Sequence, residues 1–169
     1  MGAVSKIFLR PASRAPLREV ASADAAVGAG LVGDHAGGGN RQVTLIGEDR
    51  WTDACRELGR DLDPAGRRAN IVVSGFPLGE SIGRRIRVGG CLIDVIAETR
   101  PCKLMDDFAP GLRQALSPDR RGGVYGRVVR GGRIDVGGPV DFAPAESLPA
   151  GAGLLDFEPV KSEAAKSGE

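Results

Sequence analysis

A chain of 169 residues, 41% hydrophobic and only 4% aromatic, suits one domain and can bury a single core. Its formal net charge of +1 gives no global attraction to nucleic acid or to an anionic membrane, so any anion must be drawn by a local patch. Three cysteines without a secretory leader argue for a reducing, cytoplasmic setting, and no apolar run approaches the ~18 residues of a membrane span.

Val4 to Leu9 predicts a first strand. A segment containing proline and arginine follows, then an alanine-rich stretch from Ala21 to Ala29 with little periodic signal. Gly33-Asp34-His35 opens a glycine-rich loop that leads into a strand from Gln42 to Ile46. Because that loop precedes a strand, it lacks the strand-loop-helix context of a dinucleotide or P-loop site. From Glu48 to Leu58, Trp51, Ala54, Cys55 and Leu58 recur at helical spacing, and Gly59 stands where a helix stops. Cys55 thus falls on the buried stripe of that helix. Asp63-Pro64 predicts a turn or a short helical turn.

Strand signals then dominate, over Asn70 to Val73, Arg85 to Val88, Leu92 to Ile96, Val124 to Val129 and Ile134 to Val136. The doublets Gly89-Gly90 and Gly131-Gly132 each join alternating runs and predict hairpin turns. Between them, Lys103 to Leu116 is interrupted by Pro110-Gly111 and predicts two short helical turns. Residues 1–143 read as one domain of mainly β structure, a barrel or a sandwich with a few short helices. Residues 144–169 read as a C-terminal extension whose last ten residues are disordered.

The most informative segment is Thr99-Arg100-Pro101-Cys102-Lys103-Leu104-Met105. Pro101 cannot donate to a β ladder, so it ends the preceding strand and holds Cys102 at a strand end, where sites tend to be built. Arg100 and Lys103 favour the thiolate, the form that attacks, carries sulfur or binds metal. Otherwise Cys102 is a small hydrophobe in the first turn of a helix. Cys91 has no Cys-x-x-Cys relation to Cys102, so a zinc site is unsupported.

Other residues carry two readings each. Asn70 is a poor strand former at the head of an Ile-Val-Val run, so its amide either binds a ligand or makes a local bond to the backbone. His35 is the only histidine, which removes any two-histidine metal site; beside Asp34 it is a proton shuttle or a loop cap. Asp34 either braces its loop or touches a substrate. Thr99 offers a hydroxyl near the thiol or is simply a β-branched strand residue. Arg41, Arg68 and Arg127, at the edges of strand signals, are surface residues or forked donors to phosphate, each such bond contributing ~1.5–3 kcal/mol when desolvated.

Several segments in a fixed order resemble one family. They are Gly30-Leu31-Val32-Gly33-Asp34-His35, Arg41-Gln42-Val43-Thr44-Leu45-Ile46, Arg68-Ala69-Asn70-Ile71-Val72-Val73-Ser74-Gly75, Ile86-Arg87-Val88-Gly89-Gly90, Pro101-Cys102 with Met105, and Gly122-Gly123-Val124-Tyr125-Gly126-Arg127-Val128. Together they resemble a stand-alone MOSC domain, named after the C-terminal part of molybdenum cofactor sulfurase. Ala69 separates Arg67-Arg68 from Asn70, His35 follows Asp34 directly, and Gly126 stands where alanine is more usual in that family.

The resemblance selects the barrel. It implies binding of molybdenum cofactor, a molybdenum–pterin group, or carriage of its sulfur, with Cys102 as metal or sulfur ligand and Arg100 and Lys103 offsetting anionic charge. The implied activity is reduction of N-hydroxylated compounds or delivery of sulfur to the cofactor. A redox protein or a cysteine desulfurase would be the partner, because the chain has no flavin, haem or iron–sulfur signature. Two alternatives stand beside it: a non-catalytic cofactor carrier, and a metal-free acyl-transfer enzyme pairing Cys102 with His35.

Overall fold

A computed structural model describes residues 1–35 and 39–144. In chain order these residues form β1 (Gly2–Leu9), β2 (Arg18–Val20), β3 (Ser22–Ala26), β4 (Gly30–Leu31), β5 (Val43–Gly47) and α1 (Glu48–Leu58). There follow β6 (Ile71–Ser74), β7 (Arg85–Val88), β8 (Cys91–Glu98), α2 (Lys103–Phe108), α3 (Leu112–Ala115), β9 (Val124–Arg130), β10 (Gly132–Asp135) and β11 (Pro139–Phe142). The fold is mainly β.

Seven strands close a barrel in the order β1-β11-β7-β8-β9-β5-β6 and back to β1. The closing strand serves two neighbours on one edge: Gly2 and Ala3 pair with β11, and Ile7 to Leu9 pair with β2. Within the barrel only β5 and β6 run parallel, which requires a crossover, and α1 supplies it. A second sheet, β10-β3-β4, flanks the barrel.

Alternation along the strands sorts the apolar residues into two layers. Leu45, Ile71, Val73, Ile93, Val95, Val124 and Val128 fill the barrel interior. Ile46 and Val72, on the opposite face, pack under Trp51, Ala54, Met105, Leu112 and Leu116 of the helices. Being covered on both faces, β6 reads as a continuous apolar run. Of the α1 stripe, Trp51, Ala54 and Cys55 are buried as their spacing predicts and Leu58 is half-buried, and Gly59 caps the helix in a left-handed conformation with φ of 65°.

Three expectations change. The stretch Ala21 to Ala29 contains β3, whose inward residues Ala23 and Ala25 are too small to give an alternating signal. The sequence also conceals β2 and β11, the latter opening on Pro139 at the first strand position, where a missing donor is tolerated. Gly131-Gly132 is not a hairpin: β9 pairs with β8 and β5, while β10 leaves to pair with β3. A Cβ at Gly132 would overlap the Gly90 carbonyl, and one at Gly131 would lie 2.7 Å from the Ala25 carbonyl. The doublet therefore permits two chain segments to cross closely. Gly89-Gly90 is the hairpin turn, with Val88 paired to Cys91. No helix among the described residues is long and apolar enough to cross a membrane. The expected disorder at the C-terminus lies outside the described residues.

Candidate functional site

The strand exit of β8 and the entry to β9 lie against each other, and this contact presents Cys102. Thr99 N donates to the Gly123 carbonyl at 2.8 Å, keeping the two chains paired just beyond β8. Gly122 has no room for a side chain, because a Cβ there would overlap the Thr99 carbonyl and stand 3.3 Å from Pro101 Cδ. Pro101 then turns the chain outward. Cys102 precedes α2, with its carbonyl accepting from Met105 N at 2.9 Å. Met105 is buried beneath the helices, anchoring the far side of the loop. Cys102 is exposed, whereas Cys55 and Cys91 are buried.

Behind the thiol lies Arg67, one of the few buried charged residues, with 6% of its surface exposed. Its Nε donates to the Gly122 carbonyl at 2.8 Å and its Nη2 to the Thr99 carbonyl at 3.0 Å, while Nη1 lies 3.6 Å from the Met105 sulfur. One guanidinium thus grips residues three before and three after Cys102. Burial brings the Arg67 guanidinium down to about 10, with Arg41 pushing the same way and Cys102 opposing. It remains a cation at neutral pH. The local backbone explains why Arg67 and its neighbour diverge: Arg68 takes a left-handed φ of 63° after the turn Pro64–Arg67, at a cost of about 1–2 kcal/mol.

A cavity of about 330 Å³ opens beside the thiol, walled by Thr99, Cys102, Arg10, Arg41, Arg67 and Arg68 among others, with no carboxylate in its lining. Arg10 is held from outside by Asp34, at 3.5 Å from Nη2, and Asp34 also accepts from Arg10 N at 2.7 Å. Arg68 donates to the Ala15 carbonyl at 3.0 Å, and Arg41 lies over the Tyr125 ring at 5.3 Å. The Thr99 hydroxyl is buried without a hydrogen-bond partner. A buried orphan of this kind ordinarily costs about 1–3 kcal/mol, so the arrangement fits a wall that meets a polar ligand. A larger groove of about 710 Å³, lined in part by Gly123, mixes Asp49, Glu80 and Asp119 with Arg50 and Arg120 and has no thiol.

Of the residues singled out in the sequence, the structure brings Cys102, Thr99, Arg41 and Arg68 together on one cavity. Asn70 is fully buried elsewhere. Its Oδ1 accepts from Thr44 N and Thr44 Oγ1, both at 3.1 Å, and its Nδ2 donates to the Phe8 carbonyl at 3.2 Å. It joins β5 and β1 across the start of β6, and the cavity wall there is formed by its neighbour Ala69 and its partner Thr44 while Asn70 itself stays behind it. Asp34 braces the loop through Arg10, and His35 is exposed with its N–H on the Arg10 carbonyl at 2.6 Å. Arg127 lies in β9 opposite Asp94, away from the cavity wall. Arg100 and Lys103 flank Cys102 on the exposed surface. No local pattern in the sequence marks Arg67 or Arg10. Arg67 sat in view as half of Arg67-Arg68, but its partners are carbonyls 32 and 55 residues away, which no local pattern reveals.

The MOSC domain family matches residues 32–141, the greater part of the barrel. No curated protein matches the chain in sequence. Among solved structures, the YuaD protein from Bacillus subtilis is similar, with a TM-score of 0.68 and 20% identity over 83% of this chain and 94% of that one. YiiM from Geobacillus stearothermophilus is similar with a TM-score of 0.66 and 16% identity, over 88% of this chain and 79% of that one. YiiM from Escherichia coli gives 0.64 and 17%, over 84% and 70%. At these identities the likeness is one of fold, and with the matched segment it assigns the chain: this protein belongs to the MOSC domain family.

Proposed function

We propose that the protein binds molybdenum cofactor at the cavity beside Cys102, with the Cys102 sulfur serving as metal ligand or sulfur carrier. The observation that carries this reading is the placement of the one exposed thiol on a cavity walled by four guanidinium groups and an unpartnered threonine hydroxyl. The donor set suits the group. A thiolate is a soft ligand for a transition metal, and guanidinium groups bind terminal phosphate as forks. Among the described residues no cluster of three or more histidine, cysteine, aspartate or glutamate side chains could hold a metal ion.

When bound, the cofactor would supply a redox-active metal and transferable sulfur. The chain's own residues do the rest. Arg41 and Arg68 would hold the anionic end, Thr99 would donate to a polar atom on the inner wall, and Arg67 fixes the loop that presents Cys102. The reaction this supports is reduction of N-hydroxylated compounds or sulfur delivery, with electrons or sulfur supplied by a redox protein or a cysteine desulfurase. A non-catalytic cofactor carrier would use the same site, and turnover with an electron donor separates the two. The acyl-transfer alternative has less support, since no hydrogen bond joins Cys102 to His35 among the described residues and His35 is not in the cavity wall.

The test is molybdenum and pterin content per mole of protein, after expression in a host that makes the cofactor, for the wild type and Cys102→Ala. Near-stoichiometric metal and pterin that fall with the substitution support the reading. Neither metal nor pterin in the wild type removes it.

A further inference from the structure

Arg67 is a buried cation without a carboxylate. Every acceptor it meets is neutral, two backbone carbonyls and a thioether, and the cavity it lines contains no aspartate or glutamate. Burying an unpaired charge is costly, and a fold gains little from it unless an anion completes the arrangement. The hydrogen bonds alone do not demand a charge, since a neutral donor satisfies a carbonyl. Arg41, on the rim, is exposed and is screened by salt, whereas a charge under the protein surface is screened much less.

We propose that Arg67 sets the charge preference of the site, fixing the Cys102 loop as a positioning residue and directing the thiol toward anionic reaction partners over neutral ones. This rests on Cys102 being the reactive group of the proposed site, and it adds the class of molecule the thiol meets: a small anion, whatever its remaining chemistry.

The experiment compares alkylation of Cys102 by iodoacetate, an anion, and by iodoacetamide, its neutral analogue, on the native full chain from a host that lacks the cofactor. Intact mass follows one label, because Cys55 and Cys91 are buried, and Cys102→Ala must take none. Both reagents consume the same thiolate, so the fraction ionised cancels in the ratio of their rates. The expected ratio is about tenfold above that of a small neutral thiol, the effect of one weakly screened charge nearby. Arg67→Met should bring it down to the reference. Arg67→Lys, which keeps the charge and loses the three-way grip, should shift both rates together and preserve the ratio. A purely structural Arg67 would move both rates equally in Arg67→Met, and that result overturns the proposal.

Salt separates buried from exposed charge. In about 1 M KCl, where the Debye length is ~3 Å, a wild-type ratio that persists and that Arg67→Met abolishes supports Arg67 as the source over the half-buried Arg10 and Arg68. A ratio that collapses assigns the preference to the exposed arginines and overturns it. Normal cofactor loading with a reference-level ratio would defeat this inference alone, whereas an intact ratio without molybdenum or pterin would defeat only the cofactor reading.

Discussion

Arg85, on the β7–β8 hairpin, and Arg67, at the turn before β6, are both taken out of water, and the two regions treat them in opposite ways. Arg85 stands directly across from Asp94 in the hairpin register, and the two join as a fork, Nε to Oδ1 at 2.6 Å and Nη2 to Oδ2 at 2.8 Å. Side-chain exposure is 13% and 7%, so the pair is nearly dry and its charge is cancelled on the spot. Arg67 has carbonyls and a sulfur, and no carboxylate forks onto its guanidinium. The contrast is a criterion. A buried arginine answered by a carboxylate belongs to the architecture, and one answered by neutral acceptors beside a cavity points to a ligand.

The contrast is broken most easily from the paired side. Asp94→Ala leaves the Arg85 guanidinium buried with no counter-charge, and such half-pairs cost about 3–5 kcal/mol. The urea midpoint should fall accordingly, while replacing both residues by apolar ones of similar volume should recover much of the loss. Arg67→Met is expected to cost less, about 1–3 kcal/mol, because two carbonyls lose their donor while a desolvated charge is removed at the same time. Equal losses for Asp94→Ala and Arg67→Met would mean that the fold already compensates Arg67, and the distinction between the two regions would fail.

The paired region was the more legible of the two in the sequence. Arg85-Ile86-Arg87-Val88 alternates, the Gly89-Gly90 turn fixes its register against β8, and the cross-strand partner follows. The second doublet, Gly131-Gly132, looked identical and is not a turn, since a glycine pair serves close crossing as well as reversal and only the partner chain decides. β3 escaped because alanine carries too little apolar contrast to mark a face. Around the cavity, Cys102 was legible because its cue is local: a proline ending a strand and a cation on either side. Asn70 was legible as an amide put to use, but its partners are Thr44 and the Phe8 carbonyl, brought together by strand order. Arg67 depends on three contacts distant in sequence, so its role could not be read before the barrel was closed.

A third buried ionisable group sharpens the contrast through pH. Cys91, at the start of β8 in the paired region, is fully buried, donates to the Val88 carbonyl at 3.2 Å, and is pushed up to about 12, chiefly by burial. The folded protein therefore keeps this proton at pH values where the unfolded chain, with a thiol near ~8.5, has released it. The unfolded state then binds fewer protons, so the contribution is intact below about pH 8.5 and is lost as pH rises toward about 12, at up to about 1.4 kcal/mol per pH unit. Arg67 works in the other sense. Its folded value of about 10 lies well below the ordinary guanidinium range, so above about pH 10 the folded state sheds a proton that the unfolded chain holds, and that contribution rises with pH. The window between about pH 9 and about pH 10 isolates the thiol. Urea midpoints across it should decline for the wild type and stay level for Cys91→Ala, which starts from a constant loss for the missing sulfur. A parallel decline in both proteins would mean that Cys91 ionises freely in the fold, and that the barrel interior is open to water at the β7–β8 turn.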